Sequence, residues 1–189
     1  MAASNVKEFI AYAQANPGKV TDATQGNGTT SQLTSEMFQM MAHVKLQNVP
    51  YRGSAPALND LVAGGVDCMF DNLGVSLQLV KAGKLKLLAV ASPERMASLP
   101  DVPAIAQSLP GFESVTWYAV VAPPHTPPAF IDKINAGMNE ALHDAEVQKR
   151  LAELSAEAVG GTPQQTATYL KQEAERWKNV NTTAHVTLD

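Results

Sequence analysis

The sequence predicts an α/β fold, with mainly parallel sheets and flanking helices. Two observations carry this. Short apolar runs of strand length alternate with segments whose apolar residues recur at helical spacing. Gly, Pro and Asn clusters separate them, and Ser, Thr or Asn stands where helices should start.

In chain order, Val6, Phe9, Ile10 and Ala13 mark a first helix, with Asn5 as its cap, Glu8 as reciprocal partner and Asn16-Pro17-Gly18 as its stop. Lys19 to Thr24 reads as a strand. The loop Gln25-Gly26-Asn27-Gly28-Thr29-Thr30 leads into a second helix carrying Leu33, Met37, Met40, Met41 and Val44. Leu46 to Val49 is a strand, turned by Pro50-Tyr51-Arg52-Gly53. Ser54 is expected to cap a helix through Leu58, Leu61 and Val62, which Gly64-Gly65 ends. Val66 to Phe70 reads as a buried strand, followed by Asp71-Asn72 and a short helix. Leu85 to Val90 and Val115 to Ala122 are the next expected strands, with a Pro-rich loop and short helix between Ser92 and Gly111. After Pro123-Pro124-His125-Thr126-Pro127-Pro128 come helices around Ile134 and Leu151. A last helix opens at Thr162-Pro163, with Gln165 at the box position, and carries Tyr169, Glu173 and Trp177. The tail beyond Val180 is expected to fray.

Composition narrows the function. Hydrophobic residues make up 45% of the 189 and charged residues 17%, as expected of a folded soluble protein. The net charge is −4 and the lysines are scattered, so there is no basic stripe and nucleic acid is not an expected partner. No apolar run is long enough to cross a bilayer. Cys68, the single cysteine, lies in an apolar run and reads as a small buried hydrophobe. His43, His125, His143 and His185 stand in unrelated contexts, so no metal cluster is expected. There is no Gly-x-Ser-x-Gly elbow and no internal repeat. No catalysis and no cofactor are therefore expected.

In parallel sheets ligands bind beyond the carboxyl ends of strands, and two loops are predicted there. In Gly26 to Thr30, glycines allow close backbone approach and a helix start supplies amide donors for an anion. It lacks the Lys of a Walker loop and the third Gly of a dinucleotide fingerprint; an ordinary capped turn is the competing reading. Asp71-Asn72 offers a carboxylate and an amide at the same edge, with a helix cap as the alternative. Arg52 could pair with a carboxylate or be a solvated turn residue. Trp117 could wall a pocket or pack in a core.

Together these segments resemble the periplasmic substrate-binding proteins of the tripartite tricarboxylate transporter family, the Bug receptors. The resemblance runs through Asn16-Pro17-Gly18-Lys19, Gly26-Asn27-Gly28-Thr29, Asn48-Val49-Pro50-Tyr51-Arg52-Gly53, and Gly65 to Leu73. It continues with Ala82-Gly83-Lys84-Leu85, Leu99-Pro100-Asp101-Val102-Pro103, Ala122 to Thr126-Pro127, and Glu157 to Thr162-Pro163. It implies a periplasmic-binding-protein-like fold with one complete domain, 1–114, and 115–189 as the returning, incomplete part of the other. The family's opening strands and first Gly-rich loop have no counterpart here. Gln32 stands where the family commonly has His, and Ala104 and Gln107 where it often has Thr and Glu.

The resemblance implies non-catalytic binding of a small carboxylate, at Gly26, Asn27, Gly28, Thr29, Thr30, Asp71 and Asn72. Its partners would be the ligand and a membrane permease. It implies a periplasmic location, although the first residues show no signal peptide and a cytoplasmic location is also compatible. The alternative function is a cytosolic sensor or interaction protein on the same fold, completed by a partner or by a homodimer through the incomplete sheet.

Overall fold

The computed structural model describes residues 3–184. The chain divides into two compact units. The first runs through Thr116 and resumes at Val180; the second is Trp117–Asn179.

The first unit is built on a three-stranded parallel sheet in the order β2-β1-β3. The strands are β1 (Thr21–Thr24), β2 (Gln47–Pro50) and β3 (Cys68–Met69). Thr21 pairs with Gln47 on one side, and Asp22 with Cys68 on the other. Each strand feeds a helix: α2 (Thr30–Ala42), α3 (Ser54–Ala63) and α4 (Leu73–Lys81). The helix α1 (Val6–Ala15) precedes β1 and buries Val6, Phe9 and Ala13.

The period-two alternation of β1 explains its two faces. Ala23 packs with Ala57 of α3 and with Val66, flanked by Val49, Tyr51, Leu61 and Met69. Elsewhere in this unit Phe38 of α2 is the centre of an aromatic cluster. Its ring centroid lies 5.6 Å from that of Phe9, 5.3 Å from Phe70 and 6.2 Å from Phe112. Met37 is buried but Met40 is exposed, so the methionine stripe belongs only partly to the core.

The expected helix starts and stops are largely observed. The Glu8 amide donates to Asn5 Oδ1 at 2.9 Å, and Gly64 ends α3 in a left-handed conformation with φ +80°. At α3 the sequence reading needs correction: Gly53 occupies the cap position, and Ser54 is the first helical residue. The Ser54 hydroxyl donates instead to Asp71.

Two expected strands are absent. Residues 85–90 and 115–122 are not in any ladder, apart from a single bridge between Val90 and Ala104. A strand is stabilised by its neighbour's hydrogen bonds. Among the described residues neither segment has a neighbour to pair with along its length. Tyr118, Val120 and Val121 are strongly exposed. The buried strand expected over Val66 to Phe70 is a two-residue ladder at Cys68–Met69. The Pro-rich loop contains the expected short helix as a 3-10 turn at Ile105–Gln107.

The second unit contains the helices α5 (Pro128–Leu142) and α6 (Ala145–Glu153) and most of α7 (Pro163–Ala184). Asp144 caps α6, accepting from the amides of Glu146 and Val147. The box at α7 is reciprocal: Thr162 N–H donates to Gln165 Oε1, and Gln165 N–H to Thr162 Oγ1. Helix α7 continues past Val180 to Ala184, so fraying does not begin where the polar composition suggested; residues 185–189 lie outside the described residues. Between these helices, Asn139 grips the Gly160-Gly161 loop, accepting from the Gly161 amide at 2.9 Å and donating to its carbonyl at 2.9 Å.

Candidate functional site

The carboxyl ends of β1, β2 and β3 lie side by side because the sheet is parallel. The loops that follow them are stitched together. Gly53 N–H donates to the Gln25 carbonyl at 3.1 Å, and Tyr51 N–H to the Thr24 carbonyl at 2.9 Å. Ser31 Oγ, at the start of α2, donates to the Phe70 carbonyl at 2.6 Å. Asp71 Oδ1 accepts from Gln25 Nε2 at 2.8 Å and from Ser54 Oγ at 2.9 Å. The segments Gly26 to Thr30 and Asp71-Asn72 are thus brought to one edge.

Loop conformation accounts for the glycines. Gly26 has φ +122°, and a Cβ there would approach the Tyr51 carbonyl oxygen to 3.3 Å. Gly28 has φ +73°. Both angles lie in the region that side-chain-bearing residues disfavour. Asn27 is exposed at the loop tip. Thr29 Oγ1 folds back onto the Gly26 carbonyl at 2.7 Å rather than capping its helix. Thr30 is the first residue of α2.

The three helix starts at this edge share a property. None of α2, α3 and α4 has a side-chain cap; their cap positions are Thr29, Gly53 and Asn72. Asn72 turns its Oδ1 to accept from Thr116 Oγ1 at 2.9 Å instead. Elsewhere α1, α6 and α7 are capped by Asn5, Asp144 and Thr162, while α5, which begins at Pro128 after Pro127, also has no side-chain cap. First-turn amides have no intrahelical acceptor, and each helix start carries about half a positive charge. Three uncapped starts at one edge therefore favour an anion.

The helix-cap alternative for Asp71 is not what is seen, since Asn72 holds the cap position and Asp71 bonds across to the neighbouring loops. Arg52 is exposed in its turn. The sequence marks Gln25 as part of the loop and Gln32 as a departure from the family's His, but neither is among the expected site residues; Ser54 reads there only as a helix cap. Gln32 Oε1 accepts from Gly28 N–H at 2.7 Å, taking up one of the loop's donors.

One ionisable group lies beneath the site. Asp22, in the central strand, is fully buried, and its Oδ2 has no hydrogen-bond partner. Burial raises its pKa from 3.8 to about 7, against the hydrogen bonds of Ser35 and Cys68, which lower it; the nearby Glu36 raises it further. The Cys68 thiol points inward, 3.6 Å from Asp22 Oδ1. Burial, then Asp22, pushes that thiol well above its usual range, which suppresses its reactivity.

Trp117 does not lie in a core. It is partly exposed, meets Tyr169 edge-on at 5.9 Å and donates its indole N–H to Glu173 Oε2 at 3.2 Å. Trp177 donates to the same oxygen at 3.2 Å, and Arg176 lies 3.0 Å from Oε1. Among the described residues no cluster could hold a metal ion, and no helix is long and apolar enough to cross a membrane.

The family model described as tripartite tricarboxylate transporter family receptor matches residues 1–185. A protein of the tcbD–tcbE intergenic region of a Pseudomonas species is 40% identical over 178 residues, covering 93% of this chain and 53% of its own. An R. palustris protein solved with adipate is 34% identical with a TM-score of 0.88, over 99% of this chain and 63% of that one. The periplasmic binding protein BugD is 33% identical with a TM-score of 0.83, over 98% and 63%. MatC from Rhodopseudomonas palustris, solved with malate, is 30% identical with a TM-score of 0.75, over 95% and 62%. The chain spans about half the length of several of its curated relatives and under two thirds of these solved chains. Its fold is periplasmic-binding-protein-like.

Proposed function

The chain belongs to the tripartite tricarboxylate transporter receptor family, and on that premise we propose that it binds a small dicarboxylate at the carboxyl edge of its parallel sheet. The observation that carries this reading is the set of three uncapped helix starts, α2, α3 and α4, on one edge. Their first-turn amides supply donors and positive potential without a basic side chain. The proposed site comprises Gly26, Asn27, Gly28, Thr29, Thr30, Asp71 and Asn72.

Adipate and malate in two solved relatives support the ligand class. The role proposed is receptor, not catalyst, with the ligand passed to a membrane permease in the periplasm. We also propose that 1–114 acts as the ligand-binding domain and 115–189 as part of the second domain.

Calorimetric titration with adipate, malate and a neutral diamide of matching length tests the reading. Binding of the diacids and not of the diamide is expected. Equal heats for all three, or none, would refute it.

The alternative, an interaction protein completed by a second chain, draws on the exposed side chains of Tyr118, Val120, Val121 and Phe130. A homodimer is the version that size measurement in solution addresses.

A further inference from the structure

Asp71 is an odd residue for an anion site, because a carboxylate repels the ligand the helix starts attract. Its contacts explain its presence. A single oxygen, Oδ1, accepts from Gln25, which follows β1, and from Ser54, the first residue of α3, which follows β2. Asp71 itself follows β3. Oδ2 is buried and has no hydrogen-bond partner, so every hydrogen bond of the carboxylate runs through Oδ1. Ser31 reinforces the same seam from α2 through the carbonyl next to Asp71, that of Phe70.

We propose that Asp71 is the positioning residue of the site: one carboxylate oxygen ties the loops after β1, β2 and β3 together and holds the helix starts of α2, α3 and α4 in register. This deepens, and rests on, the dicarboxylate reading. On this account the site needs the acceptor at Oδ1 and not the charge. An asparagine carbonyl in the same place accepts the same two hydrogen bonds. Alanine leaves Gln25 Nε2 and Ser54 Oγ without their acceptor, and the loops drift relative to one another.

The test compares Asp71→Ala, Asp71→Asn and the double variant Gln25→Ala/Ser54→Ala, which removes the donors and leaves Asp71 in place. Two readouts are taken: adipate affinity by calorimetry, and hydrogen exchange of the hydrogen-bonded loop amides, Gly28 and Thr29 in the first segment and Gly53 in the second. Asp71→Ala and the double variant should each weaken adipate about tenfold and speed exchange at both segments. Asp71→Asn should recover most of the lost affinity and protection. If Asp71→Asn binds as poorly as Asp71→Ala while its exchange stays protected, the charge itself meets the ligand and the proposal is overturned. Unchanged exchange in Asp71→Ala overturns it as well. If the unmodified protein takes up no adipate, the dicarboxylate reading fails, while the exchange comparison still decides whether Asp71 orders the three loops.

Discussion

Gly28 holds a left-handed backbone, φ +73°, at the mouth of the proposed site. A β-branched residue there meets both the strain of that angle and the loss of backbone approach. Gly28→Val should therefore weaken dicarboxylate binding strongly and cost about 1 to 2 kcal/mol of stability. Paired calorimetry and thermal melts check this; wild-type affinity in a folded variant would refute it. The glycine was legible in the sequence as a loop signal, but its angle, and hence the stability cost, was not. Asp22 was not legible at all: in Thr21-Asp22-Ala23-Thr24 it looks like any polar strand residue, and only pairing on both sides buries it. Its folded pKa, about 7, lies above the ordinary carboxylate value, so the folded chain holds a proton that the unfolded chain releases. That contribution is fully present below about pH 4 and lost as pH rises through 7. Denaturant titrations should show stability falling by on the order of 2 kcal/mol between pH 5 and 8. Asp22→Asn should flatten that slope, and an equal slope in the variant would show that other groups set it.

Among the elements, the helices were read best, because caps and stops are local chemistry. Asn5 with Glu8, Thr162 with Gln165, and Gly64 behave as their sequence positions imply. Strands fared worse, because a strand is a relation between segments. Leu85 to Val90 and Val115 to Ala122 have the right residues, but among the described residues the first makes only the Val90–Ala104 bridge and the second joins no ladder. Helix α7 holds a feature that helical spacing hid: Glu173 accepts from both tryptophans of the chain. Glu173→Leu orphans two indole donors beside Arg176. It should destabilise the second unit by on the order of 2 to 4 kcal/mol. Because no other tryptophan is present, the same variant should shift the intrinsic emission of the folded protein. An unmoved spectrum and melt would show that the two indoles do not depend on this carboxylate.

Across the whole molecule, exposed apolar side chains concentrate in the second unit. Tyr118, Val120, Val121, Phe130 and Ile134 are all at least half exposed. Unpaired extended backbone with apolar side chains is a template for pairing with another chain. Light scattering across a concentration series should show self-association, and charged substitutions at Val120 and Val121 should reduce it. A monodisperse species at every concentration would contradict this. The overall architecture was readable from the alternation of helices and strands and from the order of the family's segments. The convergence of three uncapped helix starts was not, since it follows from the strand order β2-β1-β3 and from where Thr29 and Asn72 direct their side chains. The most direct test of that convergence is an amide chemical-shift titration with adipate. The largest shifts should fall on Gly26 to Ser31, Gly53-Ser54 and Asn72-Leu73, with little change in α6. Shifts centred elsewhere, or none with ligand in large excess, would contradict an anion site at the carboxyl edge of the sheet.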